Sequence, residues 1–163
     1  MDVEQLTDTT TNDKSSMKIL VVDDDDLNRH MMKILLGRAG YKVDLACNGL
    51  EALDAVKYHQ YHMVLMDLQM PIMDGVEASR RIRDWEKGGS RTFIVALTAS
   101  YLPGEGHILY EAGIDNYISK PFEVEQIHRM LSYLSAVRID PPKGQPPHNP
   151  ERDPSNGTLN VTL

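Results

Sequence analysis

Cys47 has no second cysteine to pair with, so no intramolecular disulfide can form in this chain. That excludes a disulfide-built secreted domain and points to the cytoplasm. The thiol follows an apolar run and reads as a small buried filler. Long apolar stretches are missing too: none exceeds the length of a strand, so membrane contact is not expected. The residues after Met1 are acidic and Thr-rich, without the apolar segment of a secretory leader. Basic charge is in deficit, with 17 Lys and Arg against 24 Asp and Glu and a net charge of −7. Nucleic-acid phosphates need the opposite sign, so no nucleic-acid partner is expected. Internal repeats are absent. What remains is an ordinary globular balance, 41% hydrophobic and 25% charged over 163 residues, enough for one cored domain with length to spare.

That spare length lies at the two ends. Residues 1–16 are polar, lack hydrophobic periodicity and read as a flexible lead-in. Residues 139–163 hold six of the nine prolines and too little apolar content for a core, so they read as a disordered tail. The domain is therefore expected over residues 17–138.

Within it, apolar runs alternate with helical spacing. Strands are predicted at Ile19–Val22, Val43–Ala46, Met63–Met66, Phe93–Leu97 and Asn116–Ser119. The first, third and fourth are continuously apolar, as in strands buried on both faces of a parallel sheet. The second and fifth are mixed and suit the edges. Helical stripes are expected from Leu27, Met31, Ile34 and Leu35, closed by Gly40. Further stripes come from Leu50, Leu53 and Val56, from Ala78, Ile82 and Trp85 (ended by Gly88 and Gly89), and from Val124, Ile127, Leu131 and Leu134. The segment from Leu102 to Ala112, with Pro103, Gly104 and Gly106 near its start, is the weakest helix. Five β-α repeats imply an α/β fold: a doubly wound parallel sheet with helices on both faces.

In such sheets ligands bind at the carboxyl ends of the strands. The first strand delivers Asp23 and Asp24 to that rim, the third Asp67, the fourth Thr98 and the fifth Lys120. Three carboxylates at one point repel unless a hard divalent cation with oxygen ligands compensates them, and Mg²⁺ fits. A hydroxyl and an ammonium opposite suit the oxygens of a transferring phosphoryl group. A carboxylate can also be the nucleophile that forms an aspartyl phosphate. The residues alone reach a Mg²⁺-dependent phosphoaspartate site without saying which carboxylate accepts.

The runs Ile19 to Asn28 (ILVVDDDDLN), Met66 to Gly75 (MDLQMPIMDG), Ala96 to Ala99 (ALTA) and Ser119 to Phe122 (SKPF) resemble the receiver domain of two-component response regulators. The second run is most similar to receivers of hybrid histidine kinases and phosphorelays. Over about residues 17–137 these motifs fall in family order and spacing. The resemblance implies a flavodoxin-like (βα)5 fold with strand order 2-1-3-4-5, and Asp67 as phosphoacceptor from the phosphohistidine of a kinase or phosphotransfer protein. It further implies Asp24, Asp67 and the Gln69 backbone carbonyl as Mg²⁺ ligands, with Asp23 acting through water. Thr98 and Lys120 would hold the phosphoryl group, Tyr117 would turn inward with Thr98 as a switch, and Gln69 and Ser100 would tune dephosphorylation. A cis peptide is expected at Lys120-Pro121. Such a module is not an enzyme acting on a separate substrate. It signals through a downstream protein partner, with phosphorylation-dependent dimerisation as one route, and through a surface of the last two helices and the fifth strand. Asp25 and Asp26 depart from the family pattern and make the pocket mouth unusually acidic.

Plainer readings compete. A run of aspartates is often merely solvated, and an Asp after a strand often caps the next helix. His59 and His62 sit three apart but lack further ligands for zinc. Two other functions compete: a receiver-like docking module that no longer uses phosphorylation, and a phosphatase with an aspartyl nucleophile. The intact acid pair, Thr98 and Lys120 oppose the first. The second needs Asp-x-Asp after the first strand and a cap domain, and the sequence offers neither. Flavin binding is disfavoured because the first loop is acidic rather than a neutral phosphate cradle.

Overall fold

The computed structural model describes residues 14–87, 89–99, 104 and 106–136. A short 3-10 turn, Lys14–Ser16, leads into β1 (Lys18–Val22), α1 (Asp26–Arg38), β2 (Lys42–Ala46), α2 (Gly49–Tyr58) and β3 (Met63–Asp67). There follow α3 (Gly75–Trp85), β4 (Phe93–Thr98), α4 (Gly106–Glu111), β5 (Asn116–Ser119) and α5 (Val124–Ala136). All strand pairs are parallel and the order is β2-β1-β3-β4-β5, so the two mixed strands are the edges.

Alternation within the central strands sorts their side chains onto two faces. Leu20, Val22, Val64, Met66, Ile94 and Ala96 face α2, α3 and α4, meeting Ala52, Val56, Ala78, Ile82 and Leu109. Ile19, Val21, Met63, Leu65, Val95 and Leu97 face α1 and α5, meeting Met32, Leu36, Ile127 and Leu131. Both layers exclude water from β1, β3 and β4, which is why those strands can be apolar throughout.

Three helical expectations need correction. The buried face of α1 is Met32 and Leu36, while Leu27, Met31, Ile34 and Leu35 lie 76%, 50%, 55% and 39% exposed. Apolar residues occur on both sides of this helix, and its start, fixed by β1 and the Asp25 cap, selects the face turned inward. Leu50 and Trp85 likewise point outward although their stripe partners Leu53, Val56, Ala78 and Ile82 are buried. Of the expected fourth helix, Gly106–Glu111 is helical, and residues 102, 103 and 105 lie outside the described residues. Cys47 is half-buried rather than fully buried filler. Residues 1–13 and 137–163, which include nearly all of the expected lead-in and tail, lie outside the described residues, as does Ser100.

Candidate functional site

Strand register alone assembles the site. Val22 pairs with Met66, so the next residues, Asp23 and Asp67, emerge side by side. Asp67 pairs with Leu97, which places Thr98 one step farther along the neighbouring strand. Thr98 pairs with Ser119, and the Lys120 amide donates to the Thr98 carbonyl at 2.8 Å, bringing the lysine round to the same rim. Lys120-Pro121 is a cis peptide bond.

Asp23, Asp24 and Asp67 each offer a carboxylate oxygen, and the three oxygens lie within 4.8 Å of one another. Lys120 Nζ donates to Asp23 Oδ2 at 3.0 Å and to Asp67 Oδ2 at 3.3 Å. The one ammonium thus serves two of the three carboxylates, leaving a local surplus of negative charge. Asp23 is 1% exposed, and Asp67 and Thr98 are 9% exposed, so water screens that surplus poorly. Burial, and then the charge of Asp23, push the Asp67 carboxyl above the ordinary aspartate range, against the Gln69 N–H and Lys120. Burial alone would lower the Lys120 ammonium, but the Asp23 and Asp67 carboxylates outweigh it and hold the proton above the usual lysine range. Hard oxygen donors, a closely spaced triad and uncompensated charge together fit a divalent cation.

The acid run divides its labour. Asp25 caps α1, accepting from the Asn28 N–H at 3.0 Å, as the plainer reading of such a residue has it. Its own N–H donates to Asp23 Oδ1 at 2.9 Å, fixing that carboxylate. Asp26 pairs with Arg29 at 2.7 Å and lies 3.3 Å from His30. Asp24 is exposed and has no ion-pair partner among the described residues, so it is free to take a metal.

Gln69 lies two residues beyond Asp67, its N–H donating to Asp67 Oδ1 at 3.1 Å. Tyr117 is half-buried in β5 and packs against the α2–α4 face of the core. His59 and His62 form no metal cluster among the described residues; His62 Nδ1 accepts from the Lys18 N–H at 3.0 Å. One contributor escaped the sequence reading although it lies in the second motif run. A Cβ at Gly75 would stand 2.2 Å from the Asp67 carbonyl oxygen, so only glycine lets α3 begin against the Asp67 backbone. The signal was a glycine immediately after a capping Asp, Asp74, which accepts from the Glu77 N–H at 2.8 Å.

Comparison with known proteins agrees with this geometry. Residues 19–132 match the response regulator receiver domain family. Hybrid signal transduction histidine kinase G of Dictyostelium discoideum is 34% identical over 139 residues, covering 84% of this chain but only 4% of the kinase. The chain therefore spans a small part of such relatives. Among solved structures, the receiver domain of sensor histidine kinase PA1611 from Pseudomonas aeruginosa, with magnesium in its active-site cleft, is 33% identical with a TM-score of 0.66. That match covers 74% of this chain and 98% of the other. The receiver domain of the Saccharomyces cerevisiae response regulator Ssk1, solved with the histidine phosphotransfer protein Ypd1, is 29% identical with a TM-score of 0.68. It covers 76% of this chain and 94% of the other. On fold, strand order and sequence, the chain belongs to the response regulator receiver domain family of two-component and phosphorelay signalling.

Proposed function

We propose that Asp67 is the phosphoacceptor and that its phosphorylation switches a protein-interaction surface. The observation that carries this is the convergence of Asp23, Asp24 and Asp67 on one point, with Lys120 bridging two of them beside Thr98. Asp24, Asp67 and the Gln69 carbonyl, with Asp23 behind, would hold Mg²⁺, which would supply the positive charge that phosphoryl oxygens need. Asp67 Oδ attacks the phosphorus of a phosphohistidine. The P–N bond breaks as the O–P bond forms, and the imidazole leaves with its electron pair and is protonated from water. Lys120 turns from the carboxylates toward the new phosphoryl group, and the Thr98 hydroxyl donates to one of its oxygens. Tyr117 follows Thr98, while Gln69 and Ser100 set the lifetime of the acyl phosphate.

The donor needs a docking surface at the pocket mouth, and α1 supplies one. It begins at the last aspartate of the acid run, and its exposed Leu27, Met31, Ile34 and Leu35 offer an apolar face to a phosphotransfer protein or kinase. Output runs through α4, β5 and α5, where Ile108, Tyr110 and Tyr133 are exposed, to a downstream protein or a second copy of the chain. The setting is cytoplasmic. Among the described residues no helix is long and apolar enough to cross a membrane.

The test is Mg²⁺-dependent phosphorylation by acetyl phosphate, read by intact mass. One phosphoryl adduct is expected on the wild type, abolished by chelator and by Asp67→Asn. Equal labelling of the Asn variant would overturn the site. No adduct on folded, Mg²⁺-binding protein, and no response to beryllofluoride, would favour a phosphorylation-independent docking module.

A further inference from the structure

Among the described residues, Arg29 is the only guanidinium bound to the acid run. It lies a turn into α1, its side chain 13% exposed while that of its partner Asp26 is 75% exposed. Two of its nitrogens are committed to opposite ends of the run: Nη1 donates to the Asp23 backbone carbonyl at 2.7 Å, and Nη2 to Asp26 Oδ1 at 2.7 Å. The residues between those anchors are Asp24 and the cap Asp25. The guanidinium's charge also reaches Glu51 and Cys47 beside the start of α2: it adds to the lowering of the Glu51 carboxyl, which the Cys47 N–H leads, and opposes the rise that Glu51 and burial impose on the Cys47 thiol. Arg29 therefore sits where the β1–α1 and β2–α2 connections meet.

We propose that Arg29 is a positioning residue for the divalent cation: its planar fork clasps both ends of the acidic turn and so holds Asp24 beside Asp23 and Asp67. Four adjacent carboxylates tend to spread apart, which would carry Asp24 away from the other two. A fork that bonds a carbonyl and a carboxylate at once opposes that spreading in a way a single ammonium does not. The clasp acts on the shape of the site and not on its charge, and these two effects have opposite signs. Arg29 as a charge alone repels the incoming cation, so its removal would tighten binding. Arg29 as a clasp organises the ligands, and its removal loosens binding.

This rests on the metal site proposed above, so the experiment carries its own control. Mg²⁺ binding is measured by calorimetry, and Mn²⁺ binding by electron paramagnetic resonance, on wild type, Arg29→Gln, Arg29→Lys and Asp24→Asn. Circular dichroism establishes that each variant is folded. Wild-type binding that collapses in Asp24→Asn establishes the metal site independently of Arg29. Supporting the clasp, Arg29→Gln and Arg29→Lys would then both bind about tenfold more weakly, the scale seen when partners behind metal ligands are lost. Tighter binding in Arg29→Gln with wild-type binding in Arg29→Lys would overturn it and leave Arg29 a charge only. Wild-type affinity in both variants would overturn it as well. Should Arg29→Gln fail to fold, Arg29→Lys decides alone, because it keeps the charge and loses the fork. Absence of any binding to wild type would overturn the metal site and the clasp together.

Discussion

The sheet carries an ion cluster at each end, and the two are built on opposite terms. At the amino ends of β4 and β5, Asp115 accepts from Arg83 at 2.7 Å, from Arg91 at 2.6 Å and from the Ile94 N–H at 2.8 Å. Arg83 also donates to Glu86 at 2.5 Å and to the carbonyls of Gly113 and Thr92 at 2.8 and 2.9 Å. Glu86 takes the Thr92 N–H at 2.8 Å on its other oxygen. Two carboxylates meet two guanidiniums, and the remaining polar atoms find backbone partners. At the carboxyl ends, three carboxylates meet one ammonium. Asp23 and Asp67 are buried much as Asp115 and Glu86 are, so for these pairs solvent does not explain the difference. The first cluster is closed and holds α3 and the strand starts together. The second keeps a deficit of positive charge, and that deficit is the ground for the metal site proposed there.

The sharpest way to break this contrast is Arg83→Met. It strips Asp115 and Glu86 of their shared partner and leaves buried carboxylates and carbonyls short of donors, a change that costs about 3–5 kcal/mol in buried ion pairs. Urea unfolding should show a loss of that size, while the folded fraction still takes up a phosphoryl group. A loss below about 1 kcal/mol would mean that the closed cluster is ornamental and the two ends do not differ as argued.

The two faces of α1 extend the comparison to what the sequence could disclose. The rim residues were readable because each stands at the carboxyl end of an expected strand, and register does the rest. The edge strands were readable from their mixed patterns. The inward face of α1 was not, because Met31-Met32 and Ile34-Leu35-Leu36 place apolar side chains on both sides of the helix, and only the docking of the helix on β1 selects one. The Arg83–Asp115 pair, 32 residues apart, and the clasp of Arg29 on a carbonyl are tertiary contacts that no local pattern announces. The outward face gives the next prediction. Met31→Glu places a charge on an exposed apolar patch, so stability should move by no more than about 0.5 kcal/mol. Transfer from a phosphohistidine protein should slow by about tenfold, the scale of one interface residue, while labelling by acetyl phosphate stays unchanged. Equal slowing with both donors would place the effect in the pocket and remove α1 as the docking face.

The smallest expected effect concerns the open cluster itself. A carboxyl whose folded pKa lies above its unfolded value holds its proton more tightly in the fold. Charged at neutral pH, it costs stability, and that cost fades as pH falls through the folded pKa. Burial and the neighbouring Asp23 raise Asp67 in this way. Without metal, Asp67→Asn should therefore be more stable than wild type at pH 7 by roughly 1 kcal/mol, the usual gain when a strained functional group is neutralised. The Asn side-chain oxygen can still accept the Gln69 N–H, so the variant loses charge and little else. Two titrations sharpen the reading. Acidification should narrow the gap as wild-type Asp67 takes up its proton, and Mg²⁺ should narrow or reverse it, because binding stabilises only the protein that retains the ligand. A gap that widens in acid, or that Mg²⁺ leaves untouched, would show the open cluster to be as self-satisfied as the closed one, and its surplus charge would then have no part in the switch.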